Sequence, residues 1–155
     1  MNKSTQSVLF SSSSGEHETP QDLFDQLDEE FHFTLDPCAT FENAKCDKYF
    51  TIKDDGLSQS WDDHVVWVNP PYGRGVDHWL AKAANSRATV VVLLAARTDV
   101  KWFHEIVGAY ASEVRFISRR LKFVGNKASA PFPSMLAIFR PFIDGPYDWH
   151  TWSIR

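Results

Sequence analysis

The sequence predicts an α/β domain: a mostly parallel sheet with helices on both faces and an antiparallel hairpin at one edge. Three observations carry that expectation. Val65-Val66-Trp67-Val68 and Thr89 to Ala95 are continuous apolar, β-branched runs, the pattern of strands buried on both faces. Between them Val76, Trp79, Leu80, Ala83 and Ala84 recur at helical spacing, so strand and helix alternate. The last two predicted strands, around Val114 to Phe123 and Met135 to Phe139, have no helical pattern between them, which makes them a hairpin.

Taken in order, residues 1–17 are Ser-rich without periodicity and read as a flexible tail. Residues 18–155 read as a single compact domain, with no segment large enough for a second sizeable core. Thr19-Pro20-Gln21-Asp22 opens a helix. Thr19 is a cap, Pro20 suits the first helical position because its missing N–H has no partner there, and Asp22 meets the positive end of the dipole. Leu23, Leu27 and Phe31 follow at helical spacing, with Phe24 beside them. His32 to Leu35 alternates as a short strand stopped by Asp36-Pro37. The polar stretch 41–63 holds a short strand at Lys48 to Ile52 and a turn at Asp55-Gly56. After the second central strand, Asp99 caps a helix whose inner face is Trp102, Phe103, Ile106, Val107 and Tyr110.

Composition narrows the function classes. Sixteen Lys and Arg against 20 Asp and Glu give a net charge of −4, which excludes a strongly basic, histone-like nucleic-acid binder. The charge is uneven. Fourteen acids lie between Glu16 and Asp63, whereas Val114 to Ile143 has no acid and carries Arg115, Arg119, Arg120, Lys122, Lys127 and Arg140. A chain of net negative charge can therefore present a local positive face. The longest apolar run, Val90 to Ala96, is far short of the roughly 20 residues needed to cross a bilayer, so no membrane partner is expected. Val8-Leu9-Phe10 is too short for a signal-peptide core. Two cysteines, Cys38 and Cys46, read as reduced thiols of a cytoplasmic protein, and neither they nor His104-Glu105 match metal-ligand spacing. No metal site is expected.

The chemically distinctive segment is Asn69-Pro70-Pro71-Tyr72, directly after a buried strand. Two prolines fix two φ angles and remove two donors, which suits a rigid bend and not a sheet interior. The Asn69 amide oxygen and the Pro70 carbonyl then stand as acceptors beside an aromatic ring. Such a pocket suits a planar group bearing an NH₂. In open α/β sheets ligands sit at the carboxyl ends of strands, where both this segment and Asp36-Pro37-Cys38 fall.

Asn69 to Tyr72 resembles the amino-methyltransferase signature, and the wider pattern is similar to the phage-type DNA N6-adenine methyltransferase family. That pattern includes Glu18-Thr19-Pro20, Leu35-Asp36-Pro37-Cys38-Ala39, Asp55-Gly56-Leu57 with Trp61, and Val68 to Gly73. It continues through Leu93-Leu94, Ala96-Arg97-Thr98-Asp99, Trp102-Phe103-His104, Arg120 to Phe123 and Ala130 to Ser134, covering about residues 18–140. The resemblance implies a Rossmann-like methyltransferase fold and transfer of the methyl group of S-adenosyl-L-methionine to N6 of a flipped-out adenine in DNA. It implies that Asn69, Pro70, Pro71 and Tyr72 are catalytic, Tyr72 by stacking on the base. It places the cofactor against Thr19, Pro20, Asp36, Pro37, Cys38, Asp55, Leu57 and Asn69. The common Gly-x-Gly after the first strand is replaced by Asp36-Pro37-Cys38-Ala39-Thr40. Double-stranded DNA is the expected partner, with Arg74, Arg119, Arg120 and Lys122 on its phosphates, and a homodimer is a second association to consider. The expected compartment is the cytoplasm, that of the host cell if the chain is phage-encoded. Two alternatives keep part of this reading: the same transfer to RNA adenine or protein glutamine, and a non-catalytic DNA-binding module.

Overall fold

The computed structural model describes residues 17–143 and 148–155; the expected tail at 1–16 lies outside them. Five strands, β1 (Val65–Val68), β2 (Thr89–Ala95), β3 (Glu113–Ile117), β4 (Ser134–Phe139) and β5 (Asp148–Trp152), form one sheet in the order β1-β2-β4-β3-β5. Among the described residues three helices accompany them: α1 (Gln21–Phe31), α2 (Val76–Asn85) and the short α3 (Gly108–Tyr110), which continues a π-helical turn at Phe103–Val107.

The sheet is mixed, and this corrects the sequence expectation. The pairs β1–β2 and β3–β5 are parallel, but β4 is antiparallel to both of its neighbours, β2 and β3. The last two predicted strands do pair as a hairpin, yet it does not lie at the edge, because β4 inserts into the interior. The reason is burial: all six residues of β4, Ser-Met-Leu-Ala-Ile-Phe, are buried, and such a strand needs partners on both sides and cover on both faces. The outer place is taken by β5, whose polar residues suit a half-exposed edge.

Alternation along the strands distributes two cores. Val66, Val68, Val90, Val92 and Leu94 face α2 and the π-turn through Trp79, Leu80, Phe103 and Val107. Trp67, Val91, Leu93, Leu136 and Ile138 face α1 through Leu23, Phe24 and Leu27. Helices therefore cover both faces, as the apolar strands require. The predicted strand at His32 to Leu35 shrinks to single bridges, Leu35 to Val66 and Asp36 to Tyr49, both parallel. Trp67 N–H donates to the Leu35 carbonyl at 2.9 Å, so this segment still runs beside β1.

The far end of β3 is tied by ions. The buried Glu113 carboxylate accepts from Arg115, from Arg140 at 2.8 Å and from His150 of β5 at 2.9 Å, and Arg115 forks onto Glu30 of α1 at 2.6 and 2.7 Å. Burial by itself would raise the Glu113 carboxyl, but these hydrogen bonds outweigh it and hold it at about 2. Glu113, Asp148 and His150 lie within 4.8 Å of one another, but the two guanidinium groups on Glu113 already supply the charge that a cation would bring. Among the described residues no helix is long and apolar enough to cross a membrane.

Candidate active site

Asn69 follows β1 directly, and Pro70 and Pro71 behind it are buried. The chain leaves the sheet here because two consecutive residues lack the N–H a ladder needs. The Asn69 amide is held from one side. Its Nδ2 donates to the His17 carbonyl at 2.6 Å and to Thr19 Oγ1 at 3.0 Å. Its Oδ1 is buried without a hydrogen-bond partner. An unpaired buried acceptor costs about 1–3 kcal/mol, so this oxygen marks a place for a donor.

Two cavities flank the bend. One of about 660 Å³, within the range of small-molecule sites, is largely apolar and is lined by Tyr72, Leu94, Trp102 and Phe132, with Arg74 and Arg97 at its rim. The other, about 20 Å³, lies between Thr19, Cys38, Asn43 and Asn69. Tyr72 does not present an open stacking face on every side. His17, Phe132 and Phe123 surround it at ring-centroid distances of 4.6, 5.3 and 5.9 Å. Burial pushes its phenol well above the ordinary range, so it is a neutral ring at physiological pH.

Asp36 is 4% exposed, and both carboxylate oxygens accept from backbone: Oδ1 from Cys38 N–H at 3.3 Å and Oδ2 from Lys45 N–H at 3.0 Å. It organises the loop that follows, as an Asx-type turn does. Burial lifts its carboxyl to about 6, partly offset by those two N–H groups. Burial likewise pushes up both thiols, Cys46 to about 12 and Cys38 well above its ordinary range, so neither is a thiolate.

The Asp55-Gly56-Leu57 turn lies against this loop because residue 56 has no side chain. A Cβ on Gly56 would lie 2.0 Å from the Pro37 carbonyl oxygen. Trp61 Nε1 donates to the Gly56 carbonyl at 2.9 Å and pins the turn. Asp55 is left-handed (φ 53°), with Oδ1 buried and unpartnered, and Leu57 packs on the core. The two segments singled out as cofactor-binding are thus in contact.

Other predicted residues separate. Pro20 is the residue before α1, not its first residue, and it lines a third cavity of about 420 Å³ with Asp22, Arg119, Arg120 and Lys122. The three cations are exposed and gathered there, away from Arg74. Thr19 makes no capping bond to α1; its hydroxyl is turned to Asn69. Sequence reasoning missed His17, assigned to the tail, and the aromatic pair Phe123 and Phe132. Phe123 and Phe132 stand within the matched segments Arg120 to Phe123 and Ala130 to Ser134, and His17 directly precedes Glu18-Thr19-Pro20.

A family model described as DNA N-6-adenine-methyltransferase (Dam) matches residues 6–153. The chain belongs to this DNA N-6-adenine-methyltransferase family. Among curated proteins, the DNA N-6-adenine-methyltransferase of Haemophilus phage HP1 (strain HP1c1) is 29% identical over 133 residues, covering 79% of this chain and 77% of that one. The protein of the same name from Escherichia phage T1 is 30% identical over 92 residues, 56% of this chain and 38% of that protein. The family model spans the bend at Asn69, the Asp36 loop and the Arg119–Lys122 cluster together.

Proposed function

We propose that this DNA N-6-adenine-methyltransferase family member transfers the methyl group of S-adenosyl-L-methionine to N6 of an adenine flipped out of double-stranded DNA. In this reading residues 18–155 work as one Rossmann-like methyltransferase domain without a separate target-recognition domain. The observation that supports it most is the Asn69 amide: both N–H groups are tied back, and the buried oxygen lacks a donor.

Adenine N6 is a poor nucleophile because its lone pair is delocalised into the ring. Accepting from its NH₂ through Asn69 Oδ1 and the Pro70 carbonyl favours a pyramidal nitrogen, frees the lone pair and stabilises the positive charge that develops. The cavity bounded by Tyr72, Trp102 and Phe132 has the volume and apolar walls for a nucleobase. The diproline bend fixes the acceptors in place, so little orientation remains to be lost at the reacting atom. After transfer the alkylated nitrogen loses its proton to solvent without a strong base.

The donor set fits the cofactor in chemistry. Asp36 and Cys38 stand on the loop that meets the Asp55-Gly56-Leu57 turn, and the cavity of about 20 Å³ that Cys38 and Asn43 line beside Asn69 must widen to admit the cofactor. Bound there, S-adenosyl-L-methionine supplies an electrophilic methyl carbon on a sulfonium. Asp36 accepts its ammonium, and Asp55 and Leu57 meet its adenosine part. Arg119, Arg120 and Lys122 hold backbone phosphates of the duplex, and Arg74 holds one beside the flipped base. Incubating duplex DNA, RNA and protein with methyl-labelled cofactor and digesting the DNA to nucleosides tests this. N6-methyladenine from DNA is the expected product; label confined to RNA or glutamine, or DNA binding without label, refutes it.

A further inference from the structure

The strap of four residues ahead of α1, His17 to Pro20, touches the site at the Asn69 amide. An asparagine amide can turn either its oxygen or its NH₂ toward a ligand, and only the oxygen can accept from an incoming amine. Here two acceptors take both N–H groups, the His17 carbonyl at 2.6 Å and Thr19 Oγ1 at 3.0 Å. A turned amide would set its oxygen against the His17 carbonyl, which has no hydrogen to give. The strap itself is fixed at two points: the Glu18 carbonyl accepts from Val124 N–H at 3.1 Å, and the Pro20 carbonyl accepts from Phe24 N–H at 3.2 Å to open α1. Thr19 is 3% exposed, so water does not readily replace its hydroxyl.

We infer that Thr19 is a positioning residue for methyl transfer, holding the Asn69 amide so that Oδ1 faces the amine to be methylated. The inference deepens the functional reading above and rests on it. It differs from a cofactor contact at Thr19, because the hydroxyl acts through Asn69 and alters the transfer step, not the binding of either substrate. His17 contributes through its backbone carbonyl, which no side-chain substitution removes, so Thr19 is the half of the clamp that mutation can test. Without it one amide N–H is buried and unpaired, and the side chain is free to rotate.

The test compares Thr19→Val, which keeps the shape and deletes the acceptor, with Thr19→Ser, which keeps the hydroxyl. Single-turnover transfer to duplex DNA is measured beside cofactor affinity by calorimetry, DNA affinity and a thermal melt. Thr19→Val should slow transfer roughly 10- to 100-fold, the scale of a small misplacement at the reacting atom. Both affinities should stay within about twofold of wild type, and Thr19→Ser should restore most of the rate. Thr19→Ala, which cannot overpack, replaces Thr19→Val if that variant does not melt cooperatively. A wild-type rate without the hydroxyl overturns the inference, as does weakened cofactor binding with an unchanged rate at saturation. Wild-type protein that makes no N6-methyladenine refutes the functional reading itself, and the inference falls with it.

Discussion

Gly56→Ala tests the contact between the two loops assigned to the cofactor. Gly56 does not occupy the left-handed region that only glycine tolerates, so alanine meets no backbone obstacle of its own; the obstacle is Pro37. The new methyl would lie 2.0 Å from the Pro37 carbonyl oxygen, where at least 3.0 Å is needed, so the loops must part by at least 1.0 Å (3.0 minus 2.0). Both contacting groups are backbone, and no side chain can rotate away. Overpacking of this kind costs about 1–3 kcal/mol. The shift also strains the 2.9 Å bond from Trp61 Nε1 to the Gly56 carbonyl, and Trp61 is fully buried, so breaking that bond adds about 1–3 kcal/mol. We expect about 3 kcal/mol of destabilisation in urea melts and a clear loss of cofactor affinity by titration calorimetry. A variant whose midpoint and affinity both match wild type would refute the packing argument and the joint role of the loops.

Asn69→Ala should fold with near wild-type stability, because the residue is half-buried, and should lose roughly 10²–10³-fold in transfer, as when one preorganised polar group is removed; single-turnover assays read this directly. The double variant Arg119→Ala/Arg120→Ala should lower the slope of log affinity against log salt by about 1.8, at about 0.9 for each phosphate no longer neutralised, in a fluorescence titration with duplex DNA. Cofactor affinity should depend on pH through Asp36. Its carboxyl is raised to about 6 by burial, and only the ionised form accepts an ammonium, so affinity should fall up to about tenfold per unit below pH 6 and level off above it. A flat profile between pH 5 and pH 7 in calorimetry would remove Asp36 from that role.

Much of the fold was legible locally. The β2 limits, Thr89 and Ala95, are those the apolar run suggests, and α2 begins at Val76, where the helical spacing begins. These follow from burial on both faces and from a 3.6-residue period, which a chain carries in its order. The Asn69 bend was legible for a covalent reason, since two prolines cannot continue a ladder. Thr19 was misplaced in role because local rules favour it as a cap. Its competitor, the Asn69 amide, is 50 residues away.

The sequence alone determined the buried strands β1, β2 and β4 and the helices α1 and α2, where the sheet is broken by prolines, and which chemical groups stand at that break. Only the tertiary structure decided the strand order, the interior place of β4, and the burial of β5's partner carboxylate Glu113 under two arginines. It alone also brought Gly56 against Pro37, and His17 and Thr19 against Asn69. The division has one physical cause. Propensity and periodicity act between residues a few positions apart, whereas strand edges and orphaned hydrogen-bonding groups choose partners by proximity in space, after the chain has closed loops that no local pattern encodes.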